Sequence, residues 1–68
     1  MSTIQVNGAP RPRNVATVAA LLAELAVPAE AKGVAVALNG AVISRTRWAE
    51  TPIKDGDAIE VIRAMSGG

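Results

Sequence analysis

Two Asn-Gly pairs constrain this chain more than any other feature. Asn7-Gly8 and Asn39-Gly40 each lie between short segments in which apolar residues alternate with polar or small ones. Asn and Gly tolerate positive φ at adjacent positions, which the tight two-residue turn of a β-hairpin requires. Ile4 and Val6 alternate with Gln5 before the first pair, a half-buried strand. Pro10 and Pro12 follow it. Residues two apart aim their N–H groups to the same side, so both missing donors fall along one strand edge. That fits an edge strand and argues against a central one. Around the second pair, Val34, Val36 and Leu38 point one way, and Ala35 and Ala37 the other.

Between the hairpins, Val18, Leu21, Leu22 and Leu25 fall at i, i+3, i+4 and i+7, the spacing of one helix face. Thr17 is placed to cap the helix and Pro28 to stop it. The segment from Ser44 to Pro52 breaks the alternation and reads as a short helical turn with Ser44 as its cap. Trp48 is the single aromatic residue, and its expected role is to bury a large area in a small core. Asp55-Gly56-Asp57 marks a solvated turn. Ile59 and Val61 then alternate with Ala58, Glu60 and Ile62 in a last strand, which Arg63 is expected to leave.

The order is hairpin, helix, hairpin, short turn, strand. A right-handed crossover through the helix places one helix on one face of a mixed sheet, an α+β fold. At 68 residues this reads as a single domain, 1–68, with a C-terminal tail from about residue 64. A domain of this size has a small stability margin.

Composition narrows the chemistry. With no histidine and no cysteine, a Ser-His or Cys-His nucleophile is impossible, and the commonest metal ligands are missing. Asp55 and Asp57 flank a glycine, but the further acidic positions of a calcium loop are absent. The glycines form no phosphate-cradling motif. Net charge is +1, and Arg11, Arg13, Arg45 and Arg47 lack interleaved aromatics, so they read as solvated surface and not as a nucleic-acid patch. No apolar run is long enough to span a membrane and no signal-peptide pattern is present, so the cytoplasm is the expected location.

What remains is the ending Met65-Ser66-Gly67-Gly68. Two residues without Cβ can lie extended in a channel too narrow for side chains. The α-carboxylate of Gly68 then becomes the reactive group. A carboxylate is a poor electrophile at neutral pH and needs activation, for example as a mixed anhydride with AMP.

The helix "TVAALLAEL", the run "ALNGAVISRTRWAETPIKDGDAIEVI" and the terminal "SGG" together resemble the sulfur carrier protein family of thiamine biosynthesis, the ThiS family, across essentially the whole chain. The resemblance implies a ubiquitin-like β-grasp fold with a sheet of four to five strands. It implies a carrier that is not itself an enzyme and binds no cofactor. An adenylyltransferase using MgATP would activate the Gly68 carboxylate. A sulfur donor such as a cysteine desulfurase system would convert it to a thiocarboxylate, and thiazole synthase would accept the sulfur. Gly67, Ser66 and Met65 would thread the partner's active site. Met65 and Ser66 stand where relatives often carry more apolar residues. Ile62, with Ala35, Ala37 and Arg63, forms the expected docking surface on the sheet, and Arg63 or Arg11 would steer acidic partner surfaces. The free carrier is expected to be monomeric, with no nucleic-acid or membrane partner. A small subunit of the molybdopterin synthase type, a ubiquitin-like modifier and a plain binding module are the alternatives.

Overall fold

The computed structural model describes residues 2–28 and 32–63. Five strands form one mixed sheet in the order β2-β1-β5-β3-β4. These are β1 (Thr3–Val6), β2 (Ala9–Pro12), β3 (Val34–Leu38), β4 (Ala41–Ile43) and β5 (Ala58–Arg63). One α-helix, α1 (Val18–Glu24), and a 3-10 helix (Arg45–Glu50) complete the described elements. The β1–β2 and β3–β4 pairs are antiparallel hairpins, β3–β5 is antiparallel, and β1–β5 is parallel. This is the ubiquitin-like β-grasp arrangement, with the last strand in the middle of the sheet.

Both Asn-Gly pairs make the expected two-residue turns, with φ of 53° and 82° at Asn7 and Gly8 and 51° and 87° at Asn39 and Gly40. The first turn sets Val6 opposite Ala9 and so Gln5 opposite Pro10 and Thr3 opposite Pro12. In that register the nitrogens of Pro10 and Pro12 face away from β1, along the outer edge of the sheet, where no ladder bond is lost.

Helix α1 begins as the spacing predicts. Thr17 is its N-cap, with extended backbone, and its hydroxyl oxygen accepts from the Ala20 N–H at 3.2 Å. The Val18 N–H, orphaned within the helix, donates to the Thr51 carbonyl at 3.0 Å. Val18, Leu21 and Leu22 are buried. With Ile4, Val6, Val27, Val36, Trp48, Ile53 and Ile59 they form one core between helix and sheet. Each such side chain contributes about 1.5–3 kcal/mol by leaving water.

The helix ends earlier than Pro28 suggests. Ala26 takes φ of 63°, its N–H donates to the Ala23 carbonyl at 3.1 Å, and the Val27 N–H donates to the Leu22 carbonyl at 2.8 Å. These two bonds close the helix in a Schellman motif, and Val27 packs with Leu22 in the core. Pro28 lies beyond a stop already made. An alanine in this left-handed position carries a cost that glycine does not. Ala26→Gly should therefore stabilise the domain by about 0.5–1 kcal/mol, read as a higher urea midpoint with an unchanged slope when Trp48 fluorescence is followed.

Ser44 occupies the N-cap position of the 3-10 helix, but its side chain makes no capping bond. Trp48 is buried to 4% exposure, as its size suggests, and its indole N–H donates to the Ile43 carbonyl at 3.0 Å. The Arg45 guanidinium stacks 4.9 Å from its ring centroid. Two further arginines meet carboxylates of the same chain. Arg11 reaches Glu24 on α1 at 2.8 Å, and Arg13 reaches Asp55 at 2.7 Å. Arg11 thus has an acidic partner on the helix of its own chain.

The Arg13 guanidinium donates to Asp55, and Ser2 adds a second bond, which holds this carboxyl below its ordinary value of 3.8. A group whose folded pKa is depressed stabilises the fold above its unfolded pKa, and that contribution is lost as pH falls through the folded value. Asp55→Asn should thus unfold more easily than the wild type at neutral pH. The gap should close as pH is lowered beneath 3.8, measured as urea midpoints across the acid range.

Candidate functional site

The last strand is the natural starting point, because residues 64–68 follow it. Both asparagines that make the hairpin turns also grip β5. Asn39 donates its backbone N–H to the Ala58 carbonyl at 2.7 Å, and its side-chain oxygen accepts from the Ala58 N–H at 2.9 Å. Its side-chain nitrogen donates to Asp57 Oδ1 at 3.0 Å, while Asp57 Oδ2 accepts from the Lys54 N–H at 2.8 Å. Further along the strand, the Asn7 N–H donates to the Ile59 carbonyl at 2.9 Å, and Asn7 Oδ1 accepts from the Val61 N–H at 2.8 Å. The side chain thereby adds a rung where β1 has ended.

Pairing to β3 continues to the end of the strand, with Val34 opposite Arg63. Arg63 does not leave the sheet as expected. It is the last paired residue, and β5 is held on β3 up to residue 63. Gly68, Gly67, Ser66 and Met65 lie outside the described residues.

The sheet face away from the helix carries the predicted docking residues in part. Ile62 is 58% exposed and stands directly opposite Ala35, which is also exposed. Ala37 does not join them as a contact residue. It is only 8% exposed, because it sits between Glu60 on β5 and Val42 on β4. A methyl group between two longer side chains becomes floor. Arg63 also separates from the patch: it alternates with Ile62 and pairs with half-buried Val34, in the row of Ile59 and Val61 on the helix side.

Val42 is the residue that sequence reading missed. It is 78% exposed and, with Ile62, is one of the two large apolar side chains exposed among the described residues. The two-residue turn at Asn39-Gly40 sets Val42 opposite Ala37, so the hairpin register held this information. The resulting patch runs from Val42 across the two alanines of β3 to Ile62. Exposed apolar residues grouped on one sheet face mark a contact surface more often than scattered ones do.

Among the described residues no catalytic constellation accompanies this surface. A cavity of about 70 Å³ lies under α1, lined by Ala19, Leu22, Ala23, Val27 and Trp48. It contains no charged or hydroxyl side chain, and the indole N–H is committed to Ile43. Nothing there can bind a phosphate or move a proton. Among the described residues no three His, Cys, Asp or Glu side chains gather as metal ligands. Among the same residues no helix is long and apolar enough to cross a membrane.

The sequence matches the ThiS family over residues 4–68. The chain belongs to the ThiS family. A sulfur carrier protein ThiS from Thermus thermophilus is 40% identical over 65 residues, covering 96% of this chain and 98% of that relative. The crystal structure of the thiamine biosynthesis protein ThiS from Geobacter metallireducens superposes with a TM-score of 0.77 at 42% identity, covering 97% of this chain and 99% of that one. A solution structure of a thiamine biosynthesis protein from the same organism gives a TM-score of 0.77 at 40% identity, covering 97% and 87%. The match to the ThiS family thus spans the hairpins, the helix, β5 and the Gly-Gly ending alike.

Proposed function

We propose that this protein carries sulfur for thiazole formation in thiamine biosynthesis, on the C-terminal carboxylate of Gly68. The observation that carries the reading is the ThiS-family match, which runs through Gly68. The fold is consistent with it. A strand held by Asn39 at its start and by Asn7 as far as Val61 precedes residues 64–68, and among the described residues no His, Cys, Asp or Glu cluster gathers for chemistry.

The chemistry belongs to partners. An adenylyltransferase binds MgATP, and a Gly68 carboxylate oxygen attacks the α-phosphorus with loss of pyrophosphate. A persulfide from a donor such as a cysteine desulfurase system then attacks the carbonyl carbon and AMP leaves; a second thiol on the partner cleaves the resulting acyl disulfide, forming a disulfide and freeing the thiocarboxylate. The thiocarboxylate formed delivers its sulfur at thiazole synthase. The carrier contributes a bare Gly67-Gly68 ending that fits a narrow channel and a surface that partners grip. Ile62, Ala35 and Val42 form that surface, with Ala37 as its floor. Gly67, Ser66 and Met65 follow Gly68 into the partner's active site.

The test is intact mass after incubation with activating enzyme, MgATP and sulfur donor. The expected gain is that of one oxygen replaced by sulfur, and deletion of Gly68 should abolish it. An unchanged mass with an enzyme that loads a ThiS-family relative in parallel would sink the reading.

A further inference from the structure

The two Asn-Gly turns have nearly the same local sequence, Val6-Asn7-Gly8-Ala9 and Leu38-Asn39-Gly40-Ala41. They also share one backbone shape, and at both glycines nothing lies within 4 Å of where a Cβ would stand. Their side chains are held differently. Asn39 is held at both ends of its carboxamide: Oδ1 accepts from Ala58 and Nδ2 donates to the Asp57 carboxylate. Asn7 is held at one end, where Oδ1 accepts from Val61.

We propose that Asn7 is a site of spontaneous covalent modification, deamidating through a cyclic imide with Gly8, and that the Asp57 brace protects Asn39 from the same reaction. An asparagine followed by glycine is chemically labile because no side chain shields the next amide nitrogen. Base removes the Gly8 amide proton, and the nitrogen bonds to Asn7 Cγ. The Cγ–Nδ2 bond breaks and ammonia leaves with a proton. Water then opens the imide at either carbonyl, giving aspartate or isoaspartate. The reaction requires the carboxamide to rotate out of its hydrogen bonds. At Asn39 that breaks an additional bond to a charged acceptor, and the Asp57 carboxylate also opposes the negative charge that builds up during attack. At Asn7 only the Val61 contact must break.

The two products differ in consequence. Aspartate at position 7 keeps an oxygen for the Val61 N–H. Isoaspartate adds a methylene to the main chain of a two-residue turn and displaces that oxygen, which loosens β5 two residues before Arg63.

Incubating the full-length protein at mildly alkaline pH and mapping peptides over time tests this. In the folded protein Asn7 should convert about tenfold faster than Asn39, the rate equivalent of one additional charge-assisted hydrogen bond to be broken. In concentrated urea the two sites should react at equal rates, since their flanking sequences are nearly the same. Asp57→Ala should narrow the gap in the folded protein. Equal rates in the folded state, faster loss at Asn39, or a gap that persists in urea would overturn the proposal. The comparison uses wild-type protein, so it stands even if Asp57→Ala folds poorly.

Discussion

Ile62→Lys is expected to leave the domain folded and to reduce kcat/KM for thiocarboxylate formation at least about tenfold, a loss of about 1.4 kcal/mol of partner binding. Ile62 is 58% exposed at the end of a well-paired strand, so a lysine there meets water and disturbs no core contact. On docking, the same lysine must either strip its charge of water against apolar surface or hold the partner away. Val42→Lys should act in the same direction, because Val42 closes the other side of the patch. Thr46→Lys, on the exposed side of the 3-10 helix, should leave the rate unchanged. Steady-state rates with limiting carrier, together with urea midpoints for each variant, separate docking from stability. Wild-type rates for both Ile62→Lys and Val42→Lys would place the docking surface elsewhere.

Trp48→Ala is expected to unfold most of the protein at physiological temperature. Removing a buried aromatic side chain costs about 3–5 kcal/mol. A chain of 68 residues has a total stability of roughly 3–10 kcal/mol. The substitution also takes the hydrogen-bond partner from the Ile43 carbonyl and the stacking surface from Arg45. The cavity already present beside Trp48, lined on the helix by Ala19, Leu22 and Ala23, would be enlarged. Amide dispersion in NMR spectra and far-UV circular dichroism provide the readout, since the variant has no tryptophan to follow. A native-like spectrum with a urea midpoint close to wild type would show that the site collapses around the missing ring.

Local chemistry made a large part of this fold legible. The Asn-Gly pairs announced both hairpins, because few other dipeptides accept two successive positive φ values. Pro10 and Pro12 placed β2 at an edge through their missing donors, and the spacing of Val18, Leu21 and Leu22 marked the buried face of α1. These are properties of a residue and its near neighbours, so they survive without tertiary context.

The less legible features depend on partners far along the chain. Nothing about Ala26 advertises a left-handed helix end; the turn forms there because Val27 reaches the core beside Leu22. The second function of the turn asparagines was hidden for the same reason. Asn39 holds Ala58 across 19 residues, and Asn7 holds Val61 across 54. Ala37 reads as outward from its alternation, and it is outward, but burial depends on Val42 and Glu60 beside it. Arg63 follows Ile62 in sequence and lies on the opposite face in space.

By itself, then, the sequence determined the order of elements, the edge prolines, the helix stripe, the family and the Gly67-Gly68 ending, all of which rest on spacing or on residue type. Only the tertiary structure decided that both hairpin turns grip β5 between Ala58 and Val61 and that β3 holds it up to Arg63. It also decided that the exposed apolar surface is Ile62, Ala35 and Val42, with Ala37 beneath. Those outcomes come from strand neighbours that are remote in the chain and meet only when the sheet has closed around its last strand.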